Sequence, residues 1–319
     1  MKKYVAPLLM AFALLHPVFA HSTQSSPFSF GVIAKPLKAA AGENMVRDAI
    51  AESDADNLAF VVANGVKAGD ESCSDEVYKN RRSLFDEAKN GLIVSITASD
   101  WAQCVNAKNR SISAERLSRL RDVFFADEFS FGDSKIQLVH QSTMPKFRVY
   151  AENMHWRIGD VMFATVNLPS NNNNYLNAAG RNSEFEDRQI ANNDWLKRIF
   201  LTAKISKLDG VVIFCDGNPL VHVEHSSFFS SASKREGFAD IRKQITAFAG
   251  KFQGQILIVH SDLDARRMSN ANGIEWKANI GTLHTETPWI KITVDPARPQ
   301  LFAIKNPSIP VQAAHRVTH

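Results

Sequence analysis

The stretch "LIVSITASDWAQC", from Leu92 to Cys104, decides the interpretation of this chain. It begins as an apolar run rich in β-branched residues, which is typical of a buried strand. Small residues end the run, and an acid, a tryptophan and a cysteine follow. Functional residues concentrate in loops that a rigid scaffold positions. The segment therefore predicts a central strand followed by a loop in which Asp100 and Trp101 serve a purpose.

The segments before this strand alternate between strand and helix. "FSFGVIAKPL" and "NLAFVVANG" are short apolar runs that end in turn residues, so we expect strands there. "GENMVRDAIAES" and "SDEVYKNRRSLFDEAK" carry apolar residues at helical spacing, and Ser74 is placed to cap the second helix. This strand–helix alternation predicts a layered α/β sheet.

The segments after the strand mix the same two element types. We expect helices in "SAERLSRLRDVFF", "SEFEDRQIANNDWLKRIFLTAKI" and "REGFADIRKQITAFAGKF". We expect strands in "SKIQLVHQS", "FRVYAENMHWRIGDVMFATVNLP", "DGVVIFCDGNP" and "GQILIVHSDLD", and a C-terminal strand pair in "PWIKITVDP" and "QLFAIK".

The N-terminus, residues 1–20, has the features of a secretory signal peptide. Lys2 and Lys3 precede an apolar core, and "VFA", ending at Ala20, approximates the small-x-small pattern of a cleavage site. We expect export to the periplasm or the medium, with cleavage after Ala20; an uncleaved membrane anchor is the other interpretation. No later run is long and apolar enough to span a membrane, so we expect no membrane span after signal removal.

Composition narrows the classes of partner. The 319 residues are 45% hydrophobic and 22% charged, which is ordinary for a globular protein, and the net charge is +4. Lysine and arginine are spread along the chain, without the basic block typical of a nucleic-acid-binding protein. We therefore expect no nucleic-acid partner.

The cysteines predict one disulfide. Cys73 and Cys104 both lie in polar segments after apolar runs, and an exported chain meets an oxidising compartment, so we expect these two to pair. The loop that they close would stabilise the fold by about 3–4 kcal/mol. Cys215 lies inside "VVIFCDG" and should be a buried free thiol.

Polar residues follow the predicted strands, and function collects beyond the carboxyl ends of strands in an α/β sheet. The candidate site residues are Lys35, Asn64, Ser99, Asp100, Asp216, His260, Asp262 and Asp264.

The order of these elements resembles the calcineurin-like metallophosphoesterase superfamily, in its exported bacterial branch. The resemblance is carried by "FVVANGVKAG", "LIVSITASDWAQC", "AENMHWRIGDVMFATVNLPSNNN", "VVIFCDGNP" and "ILIVHSDLDARRM", in this order. It implies an α/β domain over residues 28–304, a layered β-sandwich of mixed sheets flanked by helices. Residues 21–27 would be a polar lead-in and 305–319 a C-terminal tail. It also implies a site for two divalent metal ions at the strand ends.

The metal-ligand motifs of that family are degenerate in this chain. Lys35 occupies the place of the first metal-binding Asp, and Gly65 is not followed by the Asp of the second motif. Ser99 stands near the place of the metal-bridging Asn, although the "DW" after it matches the end of that motif. Asp264 stands where a His is expected.

These departures predict loss of the phosphoesterase reaction. Two-metal catalysis needs several carboxylates and imidazoles to hold the ions, and a lysine at a ligand position repels them. We therefore expect an exported pseudoenzyme without a metal cofactor that binds an unidentified protein or a small anionic ligand. The alternative is a divergent phosphoesterase that binds Mn, Fe, Zn or Mg, which needs Asp100, Asp216, His260, Asp262 and Asp264 to converge.

Most candidate residues also have a structural interpretation. Lys35 would bind an anion or be a solvated loop lysine, and Asp100 would be a residual acid of the site or a cap of the following turn. His260 would line a pocket or make an ordinary hydrogen bond. Asp262 and Asp264 would bind a hard cation or pair with the arginines that follow them.

Three further features have weaker functional interpretations. Asn171 to Asn174 would contact a ligand or form a polar turn. "HVEH", His222 to His225, resembles a metal motif, but its two histidines point to opposite faces if the segment is a strand. We expect Trp101 and His155 to be structural.

Overall fold

The computed structural model describes residues 26–36, 39–176, 182–221, 236–262, 273–285 and 288–305. Within these ranges the chain forms two mixed β-sheets and five α-helices, which confirms the α/β class. The predicted signal peptide, the "HVEH" segment, Asp264 and the C-terminal tail after Lys305 lie outside the described residues. None of the described helices is long and apolar enough to cross a membrane.

The elements follow one another largely as the sequence predicts. The strands are β1 (Phe28–Ile33), β2 (Val61–Asn64), β3 (Leu92–Ser95), β4 (Val139–His140), β5 (Met154–Ile158), β6 (Val161–Thr165), β7 (Gly210–Cys215), β8 (Gln255–His260), β9 (Glu275–Lys277), β10 (Ile280–His284), β11 (Trp289–Val294) and β12 (Phe302–Lys305). The helices are α1 (Ala39–Asp54), α2 (Asp75–Asp86), α3 (Ser113–Phe124), α4 (Ser183–Ile205) and α5 (Ala239–Ala249). Ser74 caps α2 by accepting a hydrogen bond from the Val77 N–H.

Two predictions about strands were wrong in extent, and one strand pair was missed. The strand predicted in "SKIQLVHQS" is only the two-residue β4. The strand predicted from Phe147 begins at Met154, because Pro145 opens a 3-10 turn whose backbone angles are incompatible with a strand. The pair β9 and β10 was not predicted, because its strands are short and only one face of β10 is buried.

Each sheet combines parallel and antiparallel strands. The first has the order β12–β11–β1–β2–β3, in which β1, β2 and β3 are parallel and β11 and β12 are antiparallel to their neighbours. The second has the order β4–β5–β6–β7–β8–β10–β9, in which β6, β7, β8 and β10 are parallel. Parallel strands bring their carboxyl ends to one edge of each sheet.

Aromatic rings fill the space between the two sheets. Phe30 of β1 and Phe60, the residue before β2, stack at 5.1 Å, and Phe163 of the second sheet meets them edge-on at 5.3 and 4.8 Å. Along β7, Val212 and Phe214 face this core. Val211, Ile213 and Cys215 point to the opposite face and pack with α4 and α5, as the two-residue period of a strand requires. Helix α1 packs against β1. The sheets therefore lie face to face between helices, and burial on both faces explains their unbroken apolar runs.

Candidate functional site

The carboxyl ends of strands from both sheets meet around Asp216, which directly follows β7 and is fully buried. Its Oδ1 accepts hydrogen bonds from Lys35 Nζ at 3.3 Å and from Ser261 Oγ at 2.6 Å. Its Oδ2 accepts the backbone N–H groups of Ala98 at 2.7 Å and Ser170 at 2.8 Å. These donors follow β1, β8, β3 and β6, so one carboxylate joins loops from both sheets.

The surroundings of Asp216 keep it ionised. Burial alone raises the pKa of a carboxyl group, but the charge of Lys35 and the donated hydrogen bonds outweigh it, so the pKa of Asp216 lies below its ordinary value. Lys35 retains 18% exposure of its side chain, which makes it the solvent-facing member of this ion pair.

Asp100 is the second buried carboxylate at this edge, and its oxygens are equally occupied. Oδ1 accepts the N–H groups of Val66 and Lys67, each at 3.0 Å. Oδ2 accepts the N–H of Thr97 at 2.7 Å and its hydroxyl at 3.0 Å. The Thr97 bonds form a capping box for the 3-10 turn Ala98–Asp100. Asp100 thus caps the turn that contains it and joins the loops after β2 and β3.

Gly65 turns the chain into the loop that Asp100 holds. Its φ is +103°, a region that disfavours side chains. A Cβ at this position would also lie 3.1 Å from side-chain atoms of Lys35 and Thr97. The loop needs glycine here to pass this close to both residues.

Lys67, beyond this turn, is almost fully buried. Its Nζ donates to the Ala68 carbonyl oxygen at 2.7 Å. Burial lowers the pKa of Lys67, and the negative charges of Asp100 and Glu71 act in the opposite direction. Burial likewise raises the pKa of Asp100, opposed by its backbone donors and by Lys67. The edge therefore contains two carboxylates, each with a lysine close by.

Two histidines end neighbouring strands of the second sheet. His260 closes β8 and pairs in register with His284, which closes β10, and their ring centroids lie 5.5 Å apart. Burial, together with the neighbouring His284, lowers the pKa of His260 to about 3, so its imidazole is neutral at physiological pH. Within the described residues, His260 Nδ1 is buried and makes no hydrogen bond.

The other candidates at this edge contribute hydrogen bonds within the protein. Asn64 is fully buried, and its Nδ2 donates to the Cys215 carbonyl oxygen at 3.5 Å, while its Oδ1 has no hydrogen-bond partner in the described part of the chain. Ser99 Oγ shares a hydrogen bond with Thr97 Oγ1 at 2.9 Å. Asp262 is half-buried two residues beyond β8.

A disulfide and a buried tryptophan hold the loop after β3 in place. The disulfide Cys73–Cys104 is present, as predicted, and ties this loop to the one after β2. Trp101 is fully buried under the guanidinium of Arg188, which lies 5.6 Å from the ring centroid.

The third cysteine, Cys215 at the end of β7, is the predicted buried free thiol, and burial raises its pKa.

Arg188 also holds the asparagine-rich turn in place. Its Nη1 donates to Asn173 Oδ1 at 2.5 Å and to the Asn167 carbonyl oxygen at 3.1 Å. Asn172, Asn173 and Asn174 all adopt positive φ near 53°, a conformation that asparagine tolerates better than most residues. The segment forms a turn whose side chains bond mainly within the protein.

The residues at this edge do not fit a pair of divalent ions. A metal ligand must offer a free lone pair, but both oxygens of Asp216 and both of Asp100 already accept two hydrogen bonds each. The ammonium of Lys35 also lies 3.3 Å from Asp216 Oδ1, where its charge repels a cation. Across the described ranges, no group of three or more His, Cys, Asp and Glu residues is arranged to hold a metal ion.

Several residues of this edge were not singled out by the sequence. The structure adds Lys67, Thr97, Ser170, Arg188, Ser261 and His284 to the candidates. Lys67 lies two residues after Gly65, and a lysine among small and apolar residues just beyond a predicted strand was a usable signal. Arg188 carried none, because a charged residue within an amphipathic helix ordinarily faces solvent.

Comparison with known proteins assigns no family to this geometry. A scan against models of protein families found no match, and a search of curated proteins found none. The site is therefore defined by its own residues: two buried carboxylates saturated by internal donors, two lysines and a neutral histidine.

Proposed function

We propose that this chain is an exported, non-catalytic binding protein on a metallophosphoesterase-like scaffold, in which an internal ion pair has replaced the metal centre. One observation carries the proposal: each oxygen of Asp216 accepts two hydrogen bonds from groups of the protein itself, one of them Lys35. A carboxylate in this state is a structural anchor for the loops and has no lone pair to offer an ion.

The charges at the strand ends support the same function. Lys35 forms an ion pair with Asp216, and Lys67 and Asp100 interact electrostatically, so each of the two acids has a basic partner. Divalent ions would add charge to a site that is already neutral, at a large electrostatic cost in a buried place.

Export is supported by the disulfide Cys73–Cys104, since structural disulfides persist in oxidising compartments. The solvent-facing group of the site is Lys35, a cation at the mouth of a polar edge. A small anion that takes a hydrogen bond from this ammonium is the ligand that the edge favours, because an ammonium has three N–H donors and Lys35 gives one of them to Asp216 Oδ1.

The test combines metal analysis with an activity assay on the purified mature protein. We expect less than stoichiometric Mn, Fe or Zn after purification, and no hydrolysis of p-nitrophenyl phosphate above the rate of buffer with added manganese. Stoichiometric metal together with turnover that is lost in Asp264→Ala would overturn the proposal. A thermal-shift series with phosphate, sulfate and carboxylates on wild type and Lys35→Met tests the binding role: stabilisation confined to wild type supports it.

A further inference from the structure

The edge of the second sheet opposite the candidate site carries a groove of about 1240 Å³. It lies between the end of α4, the segment after α5, and the turn between β11 and β12. Its lining residues include four cations, two acids and several apolar groups: Lys204, Lys207, Lys251, Arg298, Asp160, Asp209, Leu208, Phe252, Pro296, Pro299 and Leu301. The groove is larger than most sites for small molecules, which measure roughly 300–1,000 Å³.

The walls of this groove are held by hydrogen bonds between elements. Gln255 Nε2 donates to the Pro299 carbonyl oxygen at 2.7 Å, and Gln255 Oε1 accepts the Leu301 N–H at 2.9 Å. The backbone N–H of Gln255 donates to the Asp209 carbonyl oxygen at 2.9 Å, and the N–H of Asp209 donates to the Asp160 carbonyl oxygen at 2.8 Å. The groove is therefore a preformed feature of the fold.

The side chains that line the groove carry a net positive charge. Arg298 pairs with Asp295, and Asp160 pairs with Arg157, so these two lining residues are neutralised. Lys204, Lys207 and Lys251 are exposed and form no ion pair with any described residue. Three ammonium groups thus face one remaining acid, Asp209, across the groove.

Lys207 places a positive charge at the C-terminal end of α4, where a cation interacts favourably with the helix dipole. α4 ends in a Schellman motif, with the Leu208 N–H bonded to the Ala203 carbonyl oxygen and the Lys207 N–H bonded to that of Lys204. Lys207 is the left-handed residue of this motif, with φ +50°, where glycine is the favoured residue. Lys207 therefore lines the groove from a backbone conformation that glycine adopts more readily.

We propose that this groove binds an extended acidic peptide segment of a partner protein. Lys204 and Lys207 lie at the end of α4 and Lys251 follows α5, so a ligand that contacts all three carries negative charges spaced along its length. Asp209 can accept a backbone N–H of a peptide, whereas it repels a polyphosphate or sulfated chain. Pro299, which is exposed, and Pro296, which is half-buried, offer apolar surface to the side chains between the acids.

The experiment measures fluorescence anisotropy of a labelled peptide of alternating glutamate and valine, with the glutamine peptide as its neutral counterpart. The groove variant is Lys204→Glu, Lys207→Glu and Lys251→Glu combined. The matched control reverses three exposed lysines elsewhere: Lys79, Lys108 and Lys277. We expect the groove variant to lose about tenfold or more in affinity and the control to stay near wild type, because each exposed pair contributes modestly and three act together.

Lys207→Gly separates binding from folding. It relieves the left-handed lysine, so we expect an unchanged or higher Tm together with weaker binding of the acidic peptide. Added salt should weaken binding to wild type, since the contacts are exposed. The proposal is overturned if the glutamate peptide does not bind wild type, if it binds the groove variant equally well, or if a sulfated oligosaccharide or oligonucleotide of equal charge binds more tightly.

Discussion

Asp216→Asn is the most direct test of the role given to the buried carboxylate. The substitution keeps the shape of the side chain but turns one acceptor oxygen into an NH₂ group. That group must face either Lys35 and Ser261 or the N–H groups of Ala98 and Ser170. Either orientation sets donor against donor in a fully buried place.

The expected loss of stability is that of the less destabilising of the two orientations. Toward Ala98 and Ser170, two buried backbone donors would lose their acceptor, at about 1–3 kcal/mol each. Toward Lys35 and Ser261, the serine can rotate and the partly exposed lysine can reach water, so the loss is mainly one charge-assisted bond and the ion pair. We expect the free energy of unfolding to fall by about 2–4 kcal/mol, a large part of the stability of a typical domain.

The assay is urea unfolding of the mature protein, followed by tryptophan fluorescence, with Asp48→Asn as control. Asp48 is exposed on α1, and we expect its substitution to change stability by less than about 0.5 kcal/mol. The pKa of Asp216 is lowered from the ordinary 3.8, so its stabilisation is present above pH 3.8 and is lost as pH falls through the folded-state value. The gap between wild type and Asp216→Asn should therefore narrow below that pH. Equal unfolding of both Asn variants, or a gap that does not depend on pH, would refute the reasoning.

Three further perturbations test other parts of the site. The pKa of His260 is about 3 in the folded protein and 6.5 ordinarily, so the unfolded chain binds a proton there more readily than the folded one. The free energy of unfolding should therefore be highest above pH 6.5 and fall as the pH drops toward 3. Between pH 7 and pH 5 wild type should lose about 2 kcal/mol more than His260→Gln in urea titrations. Replacing Cys73 and Cys104 with serine opens a loop with a sequence separation of 31 and should cost about 3–4 kcal/mol, measured under non-reducing conditions. Lys35→Asp places a second carboxylate beside Asp216, so we expect this variant to have a lower Tm than wild type in the presence of a chelator. Added manganese should restore stability, with a gain of about 2.7 kcal/mol in the free energy of unfolding at a hundredfold excess over Kd.

Each of these has an outcome that would count against it. If His260→Gln loses stability between pH 7 and pH 5 as steeply as wild type, the His260 imidazole is not the cause of the pH dependence. The serine double variant should match reduced wild type, and a difference between them would mean that the substitutions act through packing. A wild-type protein that gains as much stability from manganese as Lys35→Asp would contradict the replacement of the metal centre by Lys35.

Local sequence patterns predicted most elements because strands and helices of this chain are long, apolar and well punctuated. Helix α4 has the predicted bounds, and Ser74 caps α2 as predicted, since both depend on residues close together in the chain. The alternation of strands and helices also predicted that the carboxyl ends of the parallel strands lie close together. β10 was missed, and His284 with it, because a short strand with one buried face carries little periodic signal.

What the sequence alone determined is the α/β class, the residue types at the strand ends and the cysteine pair that joins two of the loops. Only the tertiary structure decided what those residues do. Asp100 caps its own turn, and Asp216 accepts a bond from Lys35, which lies 181 positions away along the chain. Whether a carboxylate is a ligand or an anchor depends on how many donors surround it. Those donors are largely backbone N–H groups, whose direction the fold sets and no side-chain pattern encodes.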